Sequence, residues 1–197
     1  PTNDSCRIKI SVTPRLAGCS DGAVKVAYVL VNPTPSATLT NGATVICNGS
    51  NLNISVQSLT RPNNFNNLTF DYVIHAQDGT DLNGAAAGTD ITGTLDPVVP
   101  GDLPMLINNA ITIPTSDSCR MKISVTPKLA GCSNGTVKVT YVVAEPTLNA
   151  SRVVNTTPIC SGDNISVDIS STSVTNGALR FDYTVGSTNP GATGGTA

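Results

Sequence analysis

Residues Asp4 to Thr34 read DSCRIKISVTPRLAGCSDGAVKVAYVLVNPT, and Asp117 to Thr147, 113 positions further on, read DSCRMKISVTPKLAGCSNGTVKVTYVVAEPT; eight of the 31 paired positions differ. A period this long exceeds the roughly 20–45 residues of a solenoid repeat and suits a tandem array of sandwich domains of about 100 residues. The match continues at Ile46-Cys47 and Ile159-Cys160 and then slips by two, with Phe70-Asp71-Tyr72 against Phe181-Asp182-Tyr183, which places a loop of variable length between. The 197 residues hold less than two periods, so the phase has to be chosen. Pro33, Pro35 and Pro146 each follow a long strand pattern, and proline cannot continue a central ladder. Cutting there makes residues 1–35 the C-terminal strands of a preceding repeat, 36–147 a complete β-sandwich repeat, and 148–197 the N-terminal part of the following one. The chain thus reads as a segment of something longer.

Period-two alternation runs through the sequence and helical periodicity does not. In Cys6 to Thr13, the residues Cys6, Ile8, Ile10 and Val12 share one face and Arg7, Lys9, Ser11 and Thr13 the other, as in a half-buried antiparallel strand. Val24, Val26, Tyr28 and Leu30 are expected on one face of the next strand, with Tyr28 and its counterpart Tyr141 inward, joined to the first by the Gly-containing turn Pro14 to Gly22. Further strands are expected at Leu52 to Val56, at Leu68 to Ile74 with Leu68, Phe70, Tyr72 and Ile74 inward, at Ile165 to Ile169 and at Leu179 to Val185. Asp96 to Ser116, broken by four prolines, reads as an edge strand plus loop. The fold class is all-β: tandem antiparallel β-sandwich repeats with seven or so short strands each.

Composition narrows the function classes. Charged residues make up 12% of the chain and the net charge is −2, against about 25% charged in an average soluble domain, so no nucleic-acid partner is expected. No run of about 18 apolar residues marks a membrane span, and no basic-then-apolar leader marks a signal peptide. Six cysteines, one His and no CxxC pair point away from zinc and toward an oxidising, extracytoplasmic setting.

The Ile159-Cys160-Ser161-Gly162-Asp163 run, the Phe-Asp-Tyr strand, the Gly191-Ala192-Thr193-Gly194-Gly195-Thr196-Ala197 tail and Ile91-Thr92-Gly93-Thr94-Leu95 occur together with Val12-Thr13-Pro14, Gly18-Cys19 and Val31-Asn32-Pro33-Thr34-Pro35. The set resembles the PKD-like (Ig-like) tandem repeats of giant Bacteroidota cell-surface adhesins, including the gliding-motility type exported by the type IX secretion system. The resemblance implies an Ig-like sandwich at the cell surface. It also implies a disulfide between Cys47 and Cys132, although two cysteines per repeat are usual in the family and Cys6 and Cys119 are extra.

The candidate chemistry is sparse. Cys6, Cys19, Cys47, Cys119, Cys132 and Cys160 are the disulfide candidates, three per period. Cys119 and Cys132 stand too far apart along one strand to pair, and Cys47 with Cys119 stays open beside the family pairing. Asp78, Asp81 and Asn83 could offer oxygen ligands to calcium, but the loop lacks the EF-hand spacing and reads as an Asx-rich turn; no other cofactor is expected. His75 has no counterpart in the second copy and reads as a surface residue. Ser5 and Ser118 sit in repeated Asp-Ser-Cys triplets that resemble Bacteroidota O-glycosylation acceptors and otherwise read as strand-initiating turns. Asn-x-Ser/Thr triplets, at Asn155 among others, arise by chance in so Asn-rich a chain.

No nucleophile with a partner, and no acid/base pair, recurs in both copies, so no enzyme is expected. The leading expectation is a structural repeat in the shaft of a long extracellular filament or surface adhesin, serving adhesion, gliding motility or biofilm. Its partners would be adjacent repeats or neighbouring copies. The alternative is a glycan-binding or accessory module, for which Phe65 is the one aromatic expected to be exposed for stacking.

Overall fold

The strand that organises the structure is β9 (Cys119–Leu129), which alternates buried and less buried residues along its whole length. Its inward side chains Cys119, Met121, Ile123, Val125 and Leu129 lie in the core, as the period-two pattern requires. One edge pairs antiparallel with β10 (Lys138–Glu145) and the other with β6 (Leu68–Ala76). Pro127 sits inside β9 without breaking it. Its carbonyl accepts from the Gly135 N–H on the β10 side, past the last ladder pair Val125–Lys138, so the missing proline N–H faces no partner strand.

The structure, a computed structural model, describes residues 3–86, 88–114, 116–154, 158–160 and 162–186. The Gly191–Ala197 motif, Asn155 and Ser161 lie outside the described residues. The protein is all-β. Residues between Ala37 and Ala144 form a sandwich. One sheet runs β4 (Val45–Cys47), β10, β9, β6, β7 (Ile91–Leu95), with β4 parallel to β10. The facing sheet runs β3 (Thr38–Asn41), β5 (Ile54–Gln57), β8 (Met105–Ile107). Leu52, Ile54, Val56 and Ile107 meet Leu68, Phe70, Ile74 and the inward side of β9 between them. Every buried hydrophobic side chain among the described residues falls in this stretch.

Asparagine side chains stand in for backbone where the strands end. Asn41 bonds Tyr141 O and Thr140 Oγ1, joining β3 to β10 across the sheets. Asn48 exchanges bonds with both backbone groups of Ile113, and its amide reaches Thr147 Oγ1. The chain's amide-rich composition thus satisfies loop backbone that would otherwise be orphaned.

Two hairpin-like sheets flank the sandwich. β1 (Cys6–Val12) pairs with β2 (Lys25–Val31), and β11 (Ser151–Val154) with β12 (Val167–Ser170). Both are exposed along their whole length. The β1–β2 register, Cys6–Val31 to Val12–Lys25, is that of β9–β10, Cys119–Ala144 to Val125–Lys138.

Two expectations are corrected. Tyr141, the equivalent of Tyr28, faces outward, and Val142 and Ala144 are buried instead. Residues opposite one another in an antiparallel pair share a face, so inward Met121 and Cys119 pull Val142 and Ala144 inward with them. Tyr141 then lies under the Arg120 guanidinium, 4.5 Å from the ring centre, as Tyr28 lies under Arg7 at 4.1 Å. The second correction concerns Leu179 to Val185, which forms no ladder among the described residues. A strand exists by pairing, and no described strand pairs with this segment.

Phe70 is the largest fully buried side chain. Phe70→Ala should destabilise the central sandwich by about 3–5 kcal/mol, read as a lower urea midpoint at unchanged slope.

Candidate functional site

The feature that recurs with least variation is a backbone joint. Before β1, the Ser5 N–H donates to Arg61 O at 3.0 Å and the Arg61 N–H donates to Asn3 O at 2.6 Å. At the equivalent positions, each 113 further on, the Ser118 N–H donates to Val174 O and the Val174 N–H to Ser116 O, both at 2.8 Å. Asp4–Arg61 and Asp117–Val174 are accordingly matching parallel bridges. A third contact follows the same offset: the Asn63 N–H meets Asn32 Oδ1 at 3.5 Å, and the Asn176 N–H meets the Glu145 carboxylate at 3.1–3.2 Å.

The linker is fastened at the same place. Pro33, Pro35 and Pro146 are buried. Gly135, in the β9–β10 turn, lies so close under Pro35 that an added Cβ would fall 1.9 Å from the Pro35 carbonyl oxygen. Only glycine admits that approach. Ser36 completes the fastening, with its N–H and hydroxyl both on Thr60 Oγ1 at 2.9 and 3.1 Å. Asn149 makes the corresponding bond to Ser173 Oγ at 3.1 Å.

Ser5 and Ser118, read as O-glycosylation candidates, are half-buried and give their N–H groups to this joint. The Asp-Ser-Cys triplet therefore carries the bridge to Arg61 in one copy and to Val174 in the other.

In the Asp78–Asn83 loop, Asp78 and Asn83 spend their side-chain oxygens on the protein. Asp78 Oδ1 accepts from the Thr80 N–H at 3.0 Å, an Asx turn, and from the Cys119 thiol at 3.5 Å. Asn83, at φ 55, holds Ala110 O and the Thr112 N–H. Asp81 has one buried oxygen without a protein partner. Among the described residues, no cluster of three His, Cys, Asp or Glu could hold a metal. Burial works to raise the Asp78 carboxyl, but the bonds from Thr80 and Cys119 outweigh it and hold the group below its usual value. The Lys128 bond to Asp71, joined by Thr94 at 2.9 Å, does the same for Asp71 against its own burial.

All six cysteines are free thiols, and the sheet register explains why the expected bridges do not form. Cys47 lies opposite Glu145, the last residue of β10, whereas Cys132 lies in the turn before its first residue, Lys138. At ~3.3 Å per residue these are more than ~20 Å apart. Cys119 and Cys47 flank β10 on opposite sides, about two strand spacings or ~10 Å apart, beyond disulfide reach. Cys119 is the one buried thiol, and burial followed by the adjacent Asp78 charge pushes it up to about 11.

His75 is an exposed residue paired with Asp90 at 2.6 Å. Phe65 opens a short 3-10 turn, Phe65–Asn67, and packs against the core instead of standing free for a sugar. A depression of about 320 Å³ beside the joint is lined by Thr38, Gln57, Leu59, Arg61 and Pro100 and holds one charged side chain, Arg61. No helix among the described residues is long and apolar enough to cross a membrane. No protein-family model matches the chain, and no curated protein is significantly similar to it.

Sequence reading missed Arg61 and Val174, because the joint binds their backbone and their side chains are unlike. The signal that could have found them is the constant offset carried past the duplicated block.

Two measurements follow from these groups. In native reduced protein, iodoacetamide should modify Cys6, Cys19, Cys47, Cys132 and Cys160 and spare Cys119 until denaturant is added, as mass spectrometry would show. Asp71 and Asp78 are depressed below 3.8. Their contribution to stability is present above the unfolded value and lost as pH falls through the folded one, so the urea midpoint should hold steady from about pH 5 to 8 and decline below about pH 4. Asp71→Asn should flatten that decline.

Proposed function

We propose that the chain is a shaft segment of an extracellular surface filament or adhesin, built from tandem Ig-like β-sandwich repeats of the PKD-like kind it resembles. The observation that carries the reading is the joint made twice with the same backbone groups. A head-to-tail contact repeated with one geometry propagates into an open, extended array unless its rotation closes a ring. Buried prolines and the paired bridges limit bending at each joint, and the close Gly135–Pro35 approach adds to them at the first. Force applied along such an array meets the same hydrogen-bonded contact at every step. A coat of hydroxyls and amides, with 12% charged residues, keeps the surface insensitive to ionic strength. With Cys47 and Cys132 at opposite ends of the sandwich and Cys47 and Cys119 out of reach across β10, any bridge in an oxidising setting is left to form between repeats or not at all.

The glycan-binding alternative loses the aromatic it was built on, because Phe65 packs against the core, and an arginine lies over one face of Tyr28 and of Tyr141. Adhesion itself is assigned to other parts of such a filament, with this segment supplying reach.

Small-angle scattering of the protein should give an elongated profile with the cross-section of one sandwich. Glu145→Ala, which removes the acceptor for the Asn176 N–H, should broaden the distance distribution while leaving the central sandwich's urea midpoint within about 0.5 kcal/mol. A compact, isometric profile for the unaltered protein would overturn the reading.

A further inference from the structure

Against a surface of hydroxyls and amides, one strip is charged, and the duplicated block repeats it. β9 turns Arg120, Lys122, Ser124, Thr126 and Lys128 away from the core, on the outer face of the closed central sandwich. The matching positions of the first block carry Arg7, Lys9, Ser11, Thr13 and Arg15, so six of the chain's 11 Lys and Arg residues fall on this series. Between the two blocks every cation keeps its charge, while Asp21 gives way to Asn134 and Asn32 to Glu145.

The two ends of the strip differ. Lys128 is taken up by Asp71, and Arg15 by Asp21 at 3.3 Å. No ion pair among the described residues involves Arg7, Lys9, Arg120 or Lys122. The Arg120 guanidinium lies over the Tyr141 ring, a contact that orients its planar fork of N–H donors for a carboxylate. Lys122 follows two residues on, ~7 Å along the strand, between Tyr141 and His75 on the neighbouring strands. His75 in turn holds Asp90. Ser124 and Thr126 continue the line with hydroxyls.

We infer that this strip is a docking surface for an acidic polysaccharide, with uronate carboxylates on Arg120 and Lys122 and sugar hydroxyls on Ser124 and Thr126, and that Arg7, Lys9, Ser11 and Thr13 repeat it. The partner follows from charge complementarity and from how sparse the charge is. Two open cations followed by two hydroxyls suit a polymer whose units carry one carboxylate and several hydroxyls. Duplex DNA presents about 15 charges over the ~26 Å from Arg120 to Lys128, far more than two cations neutralise. Charge pairing of this kind needs no exposed aromatic platform, so the packing of Phe65 does not bear on it. One strip alone binds weakly, because exposed charge pairs are screened by salt. Two strips on one chain reinforce each other by raising the local concentration of the second contact. The inference rests on one face of the sheet and does not depend on the shaft reading.

The 197-residue chain should be retained on immobilised polygalacturonate at about 50 mM salt and released by about 500 mM, and should pass through neutral dextran. Arg120→Gln with Lys122→Gln should weaken the apparent affinity about tenfold or more, and adding Arg7→Gln with Lys9→Gln should abolish retention. Lys25→Gln with Lys138→Gln removes two charges from positions opposite Val12 and Val125, off the strip, and should bind as the unaltered protein does. All of these side chains lie outside the core, so an unchanged urea midpoint of the central sandwich shows that folding is intact. An unaltered protein that is not retained, an off-strip variant that loses as much affinity as the Arg120 and Lys122 pair, or equal retention on immobilised duplex DNA would each overturn the inference.

Discussion

Everything in the central sandwich depends on one strand being paired on both edges and covered on one face. β9 satisfies its backbone through β10 and β6, and its alternate side chains close the core against β5. Its near-duplicate β1 pairs with β2 on one edge and is uncovered by any described residue. The result is a strand of almost the same sequence whose apolar residues are all exposed. The hydrophobic contribution of a side chain is set by what removes it from water, and in a repeat array that is supplied by residues far along the chain.

The same separation explains the joint. The segments before β1 and before β9 are each held to a later part of the chain by a small number of directional contacts. Here those are backbone bridges reinforced by side-chain acceptors, Asn32 in one joint and Glu145 in the next. Asn and Glu differ in charge but place an oxygen before the same backbone N–H, so the contact survives the substitution. Backbone hydrogen bonds are indifferent to side-chain identity, which lets Arg61 and Val174 do the same work.

Local signals were well represented in the sequence. The alternation in Cys119–Leu129, the inward set of Leu68, Phe70 and Ile74, the edge character of the proline-broken stretch and the exposed setting of His75 all follow from residue type and period. The readings that failed needed a partner strand to be known. Tyr141 turned outward because Met121 and Cys119 fix the face of β10. The cysteine pairings failed because register puts Cys47 and Cys132 at opposite ends of one strand. Phe65 looked free only while its 3-10 turn, which lays the ring against the core, was unseen.

By itself, the sequence determined the all-β class, the duplication and the face of each strand whose alternation is unambiguous. These rest on pleat geometry and on proline's missing N–H, which act within a few residues. Only the tertiary structure decided which of two apolar faces is buried, which asparagines bridge the sheets and which backbone groups the two Asp-Ser-Cys triplets bridge. Those outcomes come from pairing between segments tens of residues apart, and the chain can satisfy such pairing only once, in three dimensions.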